Sequence, residues 1–89
     1  MQSQALTIVN RLGLHARAAA RFVSLAAQFN SEIILVRNDR QVNGKSIMGI
    51  MMLAAGQGAN VELRVDGDDE DEAMKALCGL IAGGFGEDE

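Results

Sequence analysis

The chain has 89 residues, of which 48% are hydrophobic and 22% charged, and its formal net charge is −4. This length and composition predict one globular domain over residues 1–89. The acidic balance and the absence of Trp and Tyr argue against nucleic-acid binding, which needs a basic patch and often stacking aromatic rings. A single cysteine and a single histidine exclude an intrachain disulfide and argue against a His/Cys metal centre.

The first half of the chain alternates strand and helix signals. Residues 6–9 form a short β-branched run that predicts a strand, and residues 16–29 place apolar side chains at helical spacing. Residues 32–37 (EIILVR) predict a buried strand, which a polar turn connects to a second strand over residues 40–42. The first half of the chain is therefore predicted to have the element order β-α-β-β.

The second half supplies two more helices and one strand. Ser46 takes the N-cap position of a helix over residues 47–55. Residues 59–65 alternate apolar and charged side chains, which is typical of a half-buried strand. A last helix begins after Asp68 or Asp69 and ends at a Gly-Gly pair. The complete order, β-α-β-β-α-β-α, predicts an α+β fold with three helices on one face of a four-stranded sheet.

The most informative stretch is GLHAR, residues 13–17. It places His15 at the start of the first helix, where the backbone N–H groups of Ala16, Arg17 and Ala18 have no intrahelical partner and can bind an anion. The Arg17 guanidinium adds a fixed charge suited to phosphate oxygens. A neutral imidazole is a nucleophile towards phosphorus, so these residues indicate a phosphoryl acceptor. They also fit a simple helix cap beside a solvated arginine, and spacing leaves both interpretations open.

Two motifs, GLHAR at residues 13–17 and GKSIMG at residues 44–49, together with length and element order, make the chain similar to the HPr family. These are the histidine-containing phosphocarrier proteins of the bacterial phosphoenolpyruvate-dependent phosphotransferase system. The resemblance implies an open-faced β-sandwich with an antiparallel sheet. It implies that Nδ1 of His15 accepts phosphoryl from the phosphohistidine of Enzyme I and passes it to a histidine of an EIIA-type protein, with Arg17 assisting. Phosphoenolpyruvate is then the ultimate donor, no cofactor is needed, and the chain is a carrier rather than an enzyme.

The resemblance also bears on two other positions. Ser46 matches the family's regulatory serine, phosphorylated by HPr kinase/phosphorylase where that enzyme exists, although its N-cap position alone would explain a serine. Ala18 stands where many family members have proline. Because alanine is a good helix former, we expect the turn to persist with slightly less rigidity around His15.

The helix after Ser46 carries more apolar side chains than one buried stripe needs. Ile50 and Leu53 fit the core, and flexible methionines on the outside would suit a surface that meets several partners. With small residues of the first helix, the outward side chains are predicted to form an apolar docking surface around His15: Ala16, Ala20, Ile47, Met48 and Met51.

The remaining features predict no site. Cys78 is expected in the core, and the acidic run 68–72 and the tail 87–89 are expected to be solvated, so that His15 has no evident partner beyond Arg17. No signal-peptide pattern and no apolar run of about 18 residues is present, which predicts a cytoplasmic protein without membrane insertion. We also expect the protein to be a monomer. Two alternatives stay open: the nitrogen-branch paralogue NPr, and an interaction module whose His15 never carries phosphate.

Overall fold

A computed structural model of the chain describes residues 1–87. Four strands and three helices follow one another in the predicted order, and a single 3-10 turn follows the last helix. The elements are β1 (Gln2–Thr7), α1 (Ala16–Ala26), β2 (Glu32–Arg37), β3 (Arg40–Asn43), α2 (Ile47–Met52), β4 (Asn60–Asp66), α3 (Glu70–Ala82) and the 3-10 turn (Gly84–Gly86).

The four strands form one antiparallel sheet in the order β1-β4-β2-β3, so β4 and β2 are central. In β4 the buried side chains of Val61, Leu63 and Val65 alternate with the half-buried Glu62 and Arg64. The alternation separates a core face, which packs against the helices, from an open face. The predicted α+β open-faced β-sandwich is therefore confirmed. Its core is built from both layers: Phe22, Ile33, Leu35, Ile50, Leu63, Leu77 and Ile81.

The first strand differs from its prediction. It spans Gln2–Thr7 rather than residues 6–9, and Ile8, which is fully buried, follows it. Thr7 pairs with Asn60 at the end of the β1–β4 ladder. Backbone pairing along a sheet edge tolerates the polar side chains at the start of β1, so the strand begins before the apolar run. Leu6 and Thr7 end the strand, and Ile8 lies in the core beyond it.

Both of the first two helices are shorter than predicted. The helix expected over residues 16–29 ends at Ala26, and its last turn tightens, with the Phe29 N–H bonded to the Ala26 carbonyl at 3.2 Å. The helix expected over residues 47–55 ends at Met52, and Ala54 takes a left-handed conformation (φ 53°).

Two arginines explain how α2 can end early. Arg37 Nη1 donates to the Leu53 carbonyl at 3.1 Å, and Arg40 Nη1 donates to the Met52 carbonyl at 2.6 Å. The last carbonyls of a helix have no intrahelical partner, so these two guanidinium groups supply hydrogen bonds that further helix would otherwise provide. The chain is then free to turn back towards the start of α1.

The helix α3 has its predicted N-cap residue, but the side chain of that residue bonds to another part of the chain. Asp69 is the N-cap, yet its carboxylate makes no cap bond. Instead it accepts the backbone N–H groups of Asn30 at 2.8 Å and Ser31 at 3.0 Å, and also the Ser31 hydroxyl. The bonds from Ser31 and Asn30 hold the pKa of Asp69 below its usual range. The carboxylate thus joins the α1–β2 connection to the start of α3.

We expect Asp69→Asn to lower the midpoint of urea unfolding at pH 7, because an amide cannot accept on both of its atoms. A carboxylate whose pKa is lower in the folded than in the unfolded state stabilises the fold at pH values above its unfolded-state pKa of about 3.9. This stabilisation is lost as the pH falls through the lower folded-state pKa. The difference between wild type and variant should therefore shrink between pH 5 and about pH 3. Asp68→Asn, at an exposed neighbour, is the matched control. Equal effects of the two substitutions would contradict the role of Asp69.

Candidate functional site

His15 is the N-cap of α1, as the sequence predicts. Its backbone is extended (φ −75°, ψ 177°), its carbonyl accepts the Ala19 N–H at 2.9 Å, and its side chain makes no cap bond. The N–H groups of the first turn, at Ala16, Arg17 and Ala18, consequently have no intrahelical acceptor. This open helix end is an electropositive site for an anion beside the imidazole.

A glycine turn sets the position of His15. Gly13 has a left-handed backbone (φ 65°), and a Cβ there would collide with the Ala55 carbonyl oxygen and lie 2.7 Å from the Gly56 Cα. The next residue, Leu14, donates its N–H to the Ala55 carbonyl at 2.9 Å. The loop after α2 therefore fixes where α1 begins, and only glycine permits this close approach.

The imidazole has a partner that sequence reasoning missed. His15 Nε2 forms a short hydrogen bond with Glu87 Oε2, and the two side chains are 26% and 10% exposed. The other carboxylate oxygen, Oε1, accepts from Asn10 Nδ2 at 2.9 Å. Asn10 is itself buried and also donates to the Gly13 carbonyl at 2.8 Å. One hydrogen-bonded chain thus joins the glycine turn, the carboxylate and the histidine.

Two expectations are corrected here. Glu87 is not a solvated tail residue, and His15 does have a partner beyond Arg17; the rest of the predicted tail, residues 88–89, lies outside the described residues. The physical reason is the burial of Phe85, which is 1% exposed and brings the chain end back over α1. Arg21 also donates to the Phe85 carbonyl. A large aromatic residue close to the chain end was the signal that could have revealed this.

Arg17, predicted to assist phosphoryl transfer, is exposed on the first turn of α1. Its guanidinium makes no hydrogen bond or ion pair within residues 1–87, so it can turn towards an anion at the helix end. Ala18 is fully buried, and α1 begins at Ala16 without the proline that many family members carry. The first turn therefore forms as expected.

Ser46 occupies the predicted N-cap of α2, and its hydroxyl oxygen accepts the Gly49 N–H at 3.1 Å. Behind it, Ile50 and Leu53 are buried, as predicted. The side chains predicted to face outward are exposed: 42% for Ile47, 75% for Met48 and 42% for Met51.

The residues of the predicted docking surface lie on α1 and α2, which pack against each other. Ala16 is exposed and Ala20 half-buried on the α1 side. Four further large apolar residues are exposed: Met1 at the start of the chain, Val9 and Leu12 in the loop before Gly13, and Met52 on α2. Within residues 1–87, no helix is long and apolar enough to span a bilayer.

Known proteins resemble this chain over its whole length. A family model described as "PTS HPr component phosphorylation site" matches residues 2–83. A phosphocarrier protein HPr of Neisseria meningitidis is 57% identical over 89 residues, with both chains fully covered. A crystal structure of HPr from Thermoanaerobacter tengcongensis has a TM-score of 0.95 at 49% identity, again with full coverage of both chains. An HPr dimer from the same organism gives a TM-score of 0.78 at 50% identity, over 98% of this chain and 100% of that one.

An open-faced sandwich with a histidine at the exposed start of its first helix is the architecture of the small phosphocarrier proteins of the phosphotransferase system. The chain belongs to the HPr family. The predicted family membership and fold are thereby confirmed. The expected monomeric state stays a prediction, since one of the related proteins is described as a dimer.

We expect Gly13→Ala to lower the free energy of unfolding by about 1–3 kcal/mol, since it adds a strained left-handed residue and a collision with the α2 loop. The matched control is Gly79→Ala, at an exposed position of α3 where a Cβ meets nothing within 4 Å. That change should raise the free energy of unfolding by roughly 0.5–1 kcal/mol. Chemical denaturation measures both, and a Gly13→Ala variant at least as stable as the wild type would show that the turn at Gly13 is not constrained.

Proposed function

We propose that this chain carries a phosphoryl group on Nδ1 of His15, accepts it from the phosphohistidine of Enzyme I, and passes it to a histidine of an EIIA-type protein. Phosphoenolpyruvate is the ultimate donor through Enzyme I, and the carrier uses no resident cofactor. The observation that carries the proposal is the position of His15 as the N-cap of α1, next to backbone N–H groups that have no intrahelical acceptor.

The helix end suits both steps of such a relay. Backbone N–H groups and the Arg17 guanidinium can bind the oxygens of a phosphoryl group and offset the charge that arrives with it. These donors are already oriented by the helix, so little reorganisation accompanies transfer. The same groups would be present for the incoming and the outgoing step, as a reversible carrier needs.

The apolar surface formed by Ala16, Ala20, Ile47, Met48 and Met51 would dock both partners. Because the chain is small and has a single histidine, we expect the partner to complete the active site. Methionine side chains are unbranched and polarisable, which lets one surface adapt to two different partners. Such a carrier would diffuse between them in the cytoplasm.

Ser46 is proposed as the regulatory site, phosphorylated by HPr kinase/phosphorylase in cells that have this enzyme. It lies directly before Ile47 and Met48, at the edge of the docking surface. A phosphate at this helix start would be compatible with α2, because the helix dipole favours negative charge there. It would also place about two negative charges against an apolar interface, which opposes docking by desolvation and repulsion.

The carrier proposal predicts that phosphoenolpyruvate and Enzyme I label the wild-type chain with an acid-labile phosphohistidine. His15→Ala should lose all label, whereas Ser24→Ala, at an exposed position of the same helix, should keep it. Mass spectrometry of the intact chain measures both. An unlabelled wild type, or a labelled His15→Ala, would leave only the interaction module. Preference for the nitrogen-branch Enzyme I would identify the NPr branch instead.

The regulatory proposal predicts that Ser46→Asp slows phosphoryl acceptance from Enzyme I by roughly threefold to tenfold, as expected for an added charge at an interface rim. Ser46→Asn is the matched control, because asparagine caps helices as well as aspartate but adds no charge. It should accept phosphoryl at the wild-type rate when labelling by Enzyme I is quenched at fixed times and measured by mass spectrometry. Equal rates for Ser46→Asp and wild type would refute control by charge.

A further inference from the structure

The hydrogen-bonded chain from Asn10 through Glu87 to His15 has a chemical consequence. We propose that Glu87 is a positioning residue, which holds the His15 imidazole in the tautomer that carries its proton on Nε2. The proposal rests on the proposed function, because its importance lies in leaving Nδ1 with a free lone pair for phosphoryl transfer. It assigns a role to a residue that the sequence pattern places in a solvated tail.

The tautomer follows from the chemistry of the carboxylate. An ionised carboxylate can only accept hydrogen bonds, so the hydrogen on the His15–Glu87 bond belongs to Nε2. Hydrogen bonds from Asn10 and His15 keep the pKa of Glu87 below its usual range, and the Arg21 charge acts in the same direction. Glu87 is therefore ionised at neutral pH. The imidazole then presents its lone pair at Nδ1, the atom that the family resemblance assigns to phosphorylation.

The orientation of the carboxylate is itself fixed. Asn10 is 1% exposed, and its amide nitrogen uses its two hydrogens on the Gly13 carbonyl and on Glu87 Oε1. Because a carbonyl oxygen needs a donor, the bond to Gly13 prevents the Asn10 amide from turning over. Burial of Phe85 and its bond from Arg21 anchor the preceding turn. Glu87 thus meets His15 with Oε2 and Asn10 with Oε1.

The same contact would help the transfer step. The Nδ1 lone pair forms the new P–N bond, while the P–N bond of the donor breaks and its electron pair returns to the donor ring. No proton needs to leave His15, since Nε2 keeps its hydrogen. The His15 ring gains positive charge as the bond forms, and the Glu87 carboxylate offsets that charge across the Nε2 hydrogen bond. The reverse transfer removes the charge again.

Glu87→Gln gives the sharpest test, because the amide has one acceptor and one donor. Asn10 can only donate towards residue 87, so the glutamine oxygen must face Asn10 and its NH₂ group must face His15. An NH₂ group donates to Nε2, which moves the imidazole proton to Nδ1 and blocks the nucleophile. Glu87→Ala merely frees the ring to solvent. A purely structural contact predicts the opposite ranking, with glutamine as the milder change.

We expect Glu87→Gln to slow phosphoryl acceptance from Enzyme I by on the order of tenfold to a hundredfold. In serine proteases, a histidine held in the wrong tautomer slows the reaction by a still larger factor. Glu87→Ala should slow it less. Glu72→Gln, the same change at an exposed position of α3, is the matched control and should react at the wild-type rate. The ¹⁵N chemical shifts of the two His15 ring nitrogens, at about pH 8.5 where free imidazole is neutral, give the tautomer directly.

Wild type and Glu72→Gln should show the hydrogen on Nε2, and Glu87→Gln should show it on Nδ1. A Glu87→Gln variant that keeps the wild-type tautomer, or that accepts phosphoryl as fast as Glu87→Ala, would overturn the proposal. The transfer rate and the ¹⁵N shifts test the two proposals independently. If the wild type accepts no phosphoryl group at all, the carrier function is wrong, while the ¹⁵N shifts still decide whether Glu87 sets the tautomer.

Discussion

The site depends on one steric constraint, the close approach of Gly13 to the loop after α2. That approach fixes the first turn of α1 and leaves its backbone N–H groups open beside His15. Asn10 uses the same turn, because it bonds the Gly13 carbonyl and the Glu87 carboxylate with one amide. A change at Gly13 would therefore move the helix end, the histidine and its carboxylate partner together.

The second half of the site depends on the way α2 is held at both ends. Ser46 satisfies an N–H of its first turn, and Arg37 and Arg40 satisfy carbonyls at its last. A helix of six residues has little stability of its own, so these side-chain bonds and the buried Ile50 must keep it in place. With its ends secured, α2 can leave its other apolar side chains exposed for partners.

Because the chain is small, the groups needed for phosphoryl transfer would be divided between it and its partner proteins. In the proposed relay the chain would supply a nucleophile, oriented hydrogen-bond donors for the phosphoryl oxygens and an adaptable surface, and its partners would supply the remaining catalytic groups. Glu87 extends this set by setting which imidazole nitrogen is nucleophilic. A carboxylate behind a histidine is a common solution wherever one imidazole nitrogen must carry a defined proton.

The sequence by itself determined the features that depend on neighbouring residues. These are the order of the elements, the caps at His15 and Ser46, and the alternating strand around Leu63, since capping and periodicity are local signals. Only the tertiary structure decided that a polar segment pairs as β1 and that Arg37 and Arg40 end α2. It alone decided that Glu87, 72 residues along the chain, meets His15. Contacts between distant residues leave no periodic pattern, so they become visible only when the core has packed.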